Sequence, residues 1–525
     1  MSEKFYITTP IFYVNDKPHI GHAFTMIASD TLARSHRLAK QPTFFLTGTD
    51  EHGAKIVKAA EKSGLSVQKF TDTISDKFKE LTRILNLSND YFIRTADQQI
   101  HWPGVFQIWK TLEEKGDLYK GEYEGLYCVG HEAFLKKSDL KDGVCPDHLT
   151  EPEKIKEENY FFKLTKYKSD LKKAYEKGEI KIKPEGRLNE VFAMLEDLED
   201  ISFSRPAKDL KWGIDVPNDP NHKIYVWADA LTNYLSAIGY GRNEEWKKWW
   251  PADAHVIGKD ILKFHALIWP AMLLSVGLAL PKNIFVHGFI TVEGQKMSKT
   301  VGNVVDPITL VEKYGLDPVR YFLLREIPSG EDGDFSEEKL RQRYQSDLAN
   351  GLGNLAQRVL TLIDNNLGGE INYLKRFEKS EVKEFIKSTE EKYRRHIEEF
   401  KLHEALANVF EIIGFANAYT NEHKPWELAV PVPKLNGPFG TKGRLDGAAG
   451  AKATSELGRP DHFLEVMTNL TLLITTTAFW IYPFLPETGE KVLESFGLSL
   501  QDKLENLDHQ KLVIKKGEGL FPRLN

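Results

Sequence analysis

The sequence predicts an α/β protein: a parallel-sheet domain that carries an insertion and is followed by an all-α bundle. Three observations predict it. Near the N-terminus, short β-rich runs alternate with a stretch of helical apolar spacing, the pattern of a parallel sheet. The same alternation returns beyond residue 206, after a Lys/Glu-rich interruption. Beyond about Asp334 the β-rich runs stop and long helical stretches take over.

In chain order, Phe5-Tyr-Ile-Thr reads as a strand, Pro10 to Pro18 as a loop and Ile20 to Ala39 as a helix. Thr43-Phe-Phe-Leu-Thr is a second strand, running into Gly48-Thr-Asp-Glu-His-Gly53. Open parallel sheets bind ligands where loops leave the carboxyl ends of strands. Both loops carry polar residues and the second is Gly-containing, so the pocket is expected there. Residues 118–205 are Lys/Glu-rich, hold both cysteines and read as an insertion. The α/β pattern resumes with Ile224-Tyr-Val-Trp, His255-Val-Ile-Gly and Asn283-Ile-Phe-Val-His-Gly. Helical stretches then cover Ser336–Asn365, Ser380–His423 and Asp461–Ile481. Residues 429–460 are dense in Gly, Pro, Ala and Lys, and are expected to form a flexible insertion. The expected domains are 1–117 and 206–290 for the two halves of the sheet, 118–205 for the insertion, 291–345 for a Lys-rich loop with its supporting region, and 346–525 for the helical bundle.

Composition narrows the function classes. Across 525 residues, 70 Lys and Arg face 76 Asp and Glu, a net charge of −6. That excludes a strongly basic, non-specific nucleic-acid binder while leaving room for a local basic face. With 41% hydrophobic and 28% charged residues, the chain is neither disordered nor membrane-embedded. Two cysteines exclude a disulfide framework and fit a reducing compartment. The apolar run Ile268–Leu280 is too short to span a bilayer, and Phe463–Leu485, with Glu465 and Pro483, reads as a buried helix. No leader segment precedes Phe5, so the cytoplasm is the expected address.

Two motifs carry chemistry. In Pro18-His19-Ile20-Gly21-His22 a loop meets a helix start. Free backbone N–H groups and the positive dipole end suit phosphate there. His19 and His22, three apart, share one side of the first turn, and Gly21 lets a nucleotide approach the backbone. Gly294-Gln-Lys296-Met297-Ser298-Lys299-Thr300 is a compact cationic loop able to close over phosphates. Either motif alone also suits an ordinary surface turn. The two together, in this order, resemble the paired signatures of class I aminoacyl-tRNA synthetases. Thr8-Thr-Pro-Ile-Phe-Tyr-Val-Asn, Thr47-Gly-Thr-Asp-Glu-His-Gly, Glu158-Asn-Tyr-Phe-Phe, Val226-Trp-Ala-Asp-Ala-Leu-Thr-Asn-Tyr, Gly258-Lys-Asp-Ile-Leu-Lys-Phe-His and Arg320-Tyr-Phe-Leu-Leu-Arg resemble the methionyl members. The likeness runs over about 4–428 and 462–525.

The resemblance implies a Rossmann-type catalytic domain that activates methionine with ATP and Mg2+, then transfers it to elongator and initiator tRNA(Met). It places His19, Gly21, His22, Gly258, Asp260, Lys296, Met297, Ser298 and Lys299 on ATP, with His19, His22, Lys296 and Lys299 catalytic. Thr300 replaces the usual final Ser of the loop and keeps a hydroxyl. The expected methionine slot is Ile11, Tyr13, Asp50, Trp227, Ala230, Leu231, Tyr234, Ile261 and His265. Trp227, Ala230, Leu231 and Tyr234 share one helix face by spacing, and aromatic edges suit a thioether. Asp50 would pair with the substrate ammonium.

Cys128-x-x-His131 and Cys145-x-x-His148 have zinc-knuckle spacing. A structural Zn2+ and a metal-free relic are both compatible with it, since His131 stands where relatives usually have a cysteine. The insertion is too small for the hydrolytic editing domain of the Ile, Val and Leu enzymes. The resemblance implies that Asn354, Arg358, Pro425 and Trp426 read the anticodon from the helical bundle. The chain stops soon after Leu520-Phe-Pro-Arg, without the further tRNA-binding, dimerising domain of many relatives, and a monomer is expected.

Overall fold

The computed structural model describes residues 4–128, 133–135, 139–146, 149–297, 302–428, 461–502, 507–515 and 517–524. His131, His148, Ser298, Lys299, Thr300 and the 429–460 insertion lie outside the described residues. The chain divides into two compact units, 1–312 with 329–333, and 313–328 with 334–525.

The first unit is built on a parallel sheet. Phe5–Thr8 lies between Thr43–Asp50 and Ala254–Gly258; Tyr91–Arg94 adds to the first side, Asn283–His287 and Lys181–Lys183 to the other. Every residue of Phe5–Thr8 and of Ala254–Gly258 is buried. Continuous burial rather than alternation is what a strand covered on both faces requires. From Phe5–Thr8 the sheet grows one way through Thr43–Asp50 and the other way through Ala254–Gly258. The order therefore reverses between Phe5–Thr8 and Ala254–Gly258, and a crevice opens beyond their carboxyl ends. Gly48 permits the pairing beside it, because a Cβ there would lie 2.1 Å from the Ile93 carbonyl oxygen.

The insertion forms its own antiparallel sheet, with Leu118–Cys128 paired along Glu153–Phe162. It also lends Lys181–Lys183 to the edge of the parallel sheet. Ile224-Tyr-Val-Trp departs from expectation. Asp219–Ile224 is a strand of a separate three-stranded antiparallel sheet, and Val226 already opens a short helix, Val226–Ala230. A second turn, Asn233–Ser236, follows, so the helix expected across Trp227–Tyr234 is interrupted at Leu231 and Thr232.

The second unit is helical, from Leu316–Glu326 through Asn354–Leu367, Ser380–Glu398, Leu402–His423 and Asp461–Ile481 to Pro486–Ser495. Arg320 is fully buried and donates to the Phe484 and Pro483 carbonyls at 2.7 and 3.1 Å, tying the first of these helices to the turn before the last. The stretch expected helical over 380–423 breaks at Phe400, whose φ is +61°. Strands do not stop at Asp334: Glu370–Asn372 pairs antiparallel with Lys511–Val513. Asp461–Ile481 is long and apolar enough to cross a membrane, but it is mostly buried among its neighbours.

Candidate active site

The segment Thr9–His19 leaves the central strand, adds the two-residue strand Phe12–Tyr13 beside Thr49 and Asp50, and enters the helix Ile20–Leu38. His19 is the N-cap, with extended φ/ψ, and its Nδ1 accepts from the Gly21 N–H at 3.1 Å. His22 Nδ1 accepts from the His19 N–H, also at 3.1 Å. Two histidines thus complete a capping box, a device usually built from Ser or Thr and Glu. The rings stack at 3.8 Å. With both Nδ1 atoms accepting, a neutral ring carries its proton on Nε2 and is a donor there. Burial, reinforced by His19, holds His22 well below the ordinary histidine value, so it is neutral at pH 7. A Cβ on Gly21 would lie 3.0 Å from His19 Cε1 and 3.7 Å from Met297 Cε. The two signature motifs therefore meet at Gly21.

A cavity of about 500 Å³ fills the crevice at the strand ends. It is lined by Ile11, Tyr13, His19, Gly21, His22, Asp50, Trp227, Ala230, Leu231, Tyr234, Gly258, Asp260, Ile261, His265, Lys296 and Met297. All expected ATP and methionine residues that are described thus share one cavity. The interrupted helix still turns Trp227, Ala230, Leu231 and Tyr234 to it. Trp227 stacks on Phe264 at 3.8 Å, nearly parallel, making one apolar wall. Tyr234 donates to His265 Nε2 at 2.7 Å, while His265 Nδ1 donates to the Ile261 carbonyl at 3.0 Å. Burial pushes His265 down to about 4. It is a neutral, oriented ring beside an apolar slot.

Thr25, His287, Phe264 and Lys55 also line the cavity and escaped the sequence reading. Thr25 was legible, three residues beyond His22 on the same helix face. It donates to His287 Nε2 at 2.8 Å, and His287 Nδ1 donates to the Gly288 carbonyl at 2.8 Å. Burial brings His287 down to about 4. Gly288 has no room for a side chain: a Cβ would fall 2.2 Å from the Glu331 carbonyl oxygen. Phe264 was legible at helical spacing from Ile261. Lys55, whose Nζ stands 5.8 Å from the Tyr13 ring centre, gave no motif signal.

The remaining expected residues lie elsewhere. In the second unit, Arg358 places its guanidinium 5.4 Å from the centre of the Trp426 ring, and Trp426 is 46% exposed. Asn354 is exposed one turn before Arg358, and Pro425 is buried. In the insertion Cys128 and Cys145 are buried, reduced thiols. Among the described residues no cluster of three or more metal-ligating side chains occurs.

The family of class I tRNA synthetases designated (M) matches residues 5–154 and 137–360. The methionine–tRNA ligase of Thermotoga maritima is 42% identical over 535 residues, spanning 99% of this chain and 80% of the relative. That of Caldanaerobacter subterraneus is 43% identical, over 100% of this chain and 80% of the relative. The solved Mycobacterium tuberculosis methionyl-tRNA synthetase in complex with methionyl-adenylate superposes with a TM-score of 0.89 at 37% identity, covering 99% of this chain and 100% of that one. Its apo form gives 0.83 at 34% identity, covering 100% and 99%. A parallel sheet with two histidines capping the helix after its central strand, an aromatic cavity at the switch point and full-length likeness agree, and the chain belongs to the methionyl-tRNA synthetases of class I.

Proposed function

We propose that the cavity at the sheet switch point is where this methionine–tRNA ligase joins methionine to ATP, with named side chains in named roles. One observation carries the reading: a single cavity holds the histidine-capped helix start, the Lys296–Met297 segment and the Trp227/Phe264/Tyr234/His265 slot. In the first step a methionine carboxylate oxygen attacks the α-phosphorus of ATP. The bond to the bridging oxygen breaks and pyrophosphate leaves. In the second, a terminal ribose hydroxyl of the tRNA attacks the adenylate carbonyl and AMP leaves.

No protein side chain forms a covalent bond, so positioning and charge stabilisation supply the rate. The Nε2–H groups of His19 and His22 meet the phosphates beside the free N–H groups of the helix start. Lys296 and Lys299 neutralise charge on the triphosphate, and Mg2+ accompanies ATP. Gly258 leaves the Asp260 carboxylate its place, since a Cβ there would lie 2.7 Å from Asp260 Oδ1, and that carboxylate meets the ribose. Asp50 holds the methionine ammonium. The thioether lies between Trp227, Tyr234 and His265, whose neutral ring does not repel the substrate cation. Asn354, Arg358 and Trp426 receive unpaired anticodon bases. Cys128, His131, Cys145 and His148 would hold one structural Zn2+. Two cysteines and two histidines are the residue types of one class of structural zinc site, and the two described thiols, Cys128 and Cys145, are buried.

The test is amino-acid-dependent exchange of pyrophosphate into ATP, with methionine set against isoleucine, leucine, valine and cysteine. Methionine alone should support exchange. Equal exchange with leucine or isoleucine would remove the assignment of the Trp227/Tyr234 slot.

A further inference from the structure

Beneath the cavity lies a buried chain of polar groups with no part in the chemistry above. Asp229 is 1% exposed, yet its carboxylate accepts from two imidazoles: His52 Nδ1 at 2.7 Å on Oδ2 and His101 Nε2 at 2.7 Å on Oδ1. His101 is fully buried, and its Nδ1 bonds the Ser236 hydroxyl at 2.8 Å. His52 is 3% exposed and packs between the Trp102 and Trp212 rings, at 6.3 and 5.8 Å. Burial alone would lift the Asp229 carboxyl; the two imidazoles outweigh it and hold it below the ordinary range.

The chain joins segments that are far apart in sequence. His52 follows the strand Thr43–Asp50, His101 immediately precedes the helix Trp102–Glu114, and Asp229 lies on the helix Val226–Ala230. Ser236 ends the next turn. Helix Trp102–Glu114 comes close enough for the last contact only because Gly104 lacks a side chain; its Cβ would stand 2.9 Å from Ser236 Cβ. Each joined segment carries a wall of the cavity or braces one. The His52 N–H points to Asp50 Oδ1 at 3.5 Å. On the other side of that loop, Trp212 Nε1 donates to the Glu51 carbonyl, and the Gly53 N–H donates to the Trp212 carbonyl at 3.2 Å. Asp229 is flanked on its own helix by Trp227 and Ala230, which line the same cavity as Asp50.

We infer that Asp229 is a positioning residue for the amino-acid subsite, acting through His52 to hold the carboxylate of Asp50 in register with the Trp227/Ala230 wall. The inference rests on the reading of this cavity as the methionine site and adds to it the group that sets the distance between ammonium and side-chain contacts. A buried carboxylate satisfied by two imidazoles is a rigid link, because neither ring can turn away without leaving a buried charge unpaired. It touches neither substrate. Its loss should therefore weaken methionine binding while leaving ATP binding as it is.

The experiment is pyrophosphate exchange with the full chain, with KM for methionine and for ATP measured separately alongside a thermal melt. Asp229→Asn keeps the volume but cannot accept from both rings. It should raise KM for methionine about tenfold or more, in the range set by misplacement of a contact group, with KM for ATP unchanged. His52→Gln should do the same, and the double variant should be no worse than either single one, because both cut one link. Should Asp229→Asn fail to fold, His52→Gln alone carries the test, since the Asp229–His101 pair survives in it. An unchanged methionine KM, or equal rises in both KM values with a lowered melting midpoint, overturns the inference in favour of plain core structure. Trp227→Ala separates the two levels. If it too leaves the methionine KM unchanged, the site reading has failed; if it raises it while Asp229→Asn and His52→Gln do not, only the positioning role has.

Discussion

In the proposed reading His19 serves two ends with one ring: its Nδ1 caps the helix Ile20–Leu38, and its Nε2–H meets phosphate. The two can be separated. His19→Asn keeps a side-chain acceptor at the N-cap, a position where Asn is among the preferred residues, but offers no donor at the Nε2 position. Exchange should fall roughly a hundredfold, the size of losing one preorganised donor, with the melting midpoint unchanged. His19→Ala should add about 1 kcal/mol of instability from the lost cap. Full exchange activity in the Asn variant would take phosphate away from His19. The histidines and Gly21 were legible because their spacing and their place before an apolar-periodic helix are local facts. The Thr25–His287 and Asp229–His52 contacts were not, because partners 262 and 177 residues apart are brought together only by the sheet.

Among elements, the turn after the helix Leu402–His423 shows how backbone places a side chain. Lys424 adopts a left-handed φ of +39° as the C-cap, Pro425 is buried, and Trp426 is left exposed against Arg358. A guanidinium behind an exposed indole makes a stacking platform for an unpaired base. Trp426→Ala should raise the KM for tRNA(Met) about tenfold or more, in keeping with 1–3 kcal/mol per stacked base, and leave exchange untouched. Loss of exchange in that variant would mean a folding defect instead. The long elements were readable, since the helices Ile20–Leu38 and Asp461–Ile481 and the strand Phe5–Thr8 all lie where periodicity puts them. Ile224-Tyr-Val-Trp was not, because a short aromatic and β-branched run suits a strand or a buried helix start equally. Phe400 broke a helix without a Gly or Pro to announce it, and the three-residue strands Glu370–Asn372 and Lys511–Val513 are too short to show alternation.

Across the whole molecule the two units carry buried titratable groups of opposite consequence. In the first unit, burial holds His265 and His287 at about 4, and His22 and His255 well below the usual value. An unfolded histidine takes a proton near 6.5, so between pH 6.5 and about 4 the unfolded chain binds protons that the native unit refuses. Stability therefore falls on acidification, by up to roughly 3 kcal/mol for each of His265 and His287. In the second unit the sign reverses at Asp317. Its carboxyl is 3% exposed, accepts the Thr488 N–H at 2.6 Å and is lifted by burial to about 6. The native unit there binds a proton before the unfolded chain does, so this contribution grows as pH falls from above 6 towards 4. Amide hydrogen exchange at pH 7 and pH 5 should show protection of the parallel sheet falling on acidification, while protection of Leu316–Glu326 and Pro486–Ser495 holds or rises. Asp317→Asn should abolish the rise in the second unit and leave the fall in the first. Equal loss of protection in both units at pH 5 would mean that neither set of buried groups governs the acid response.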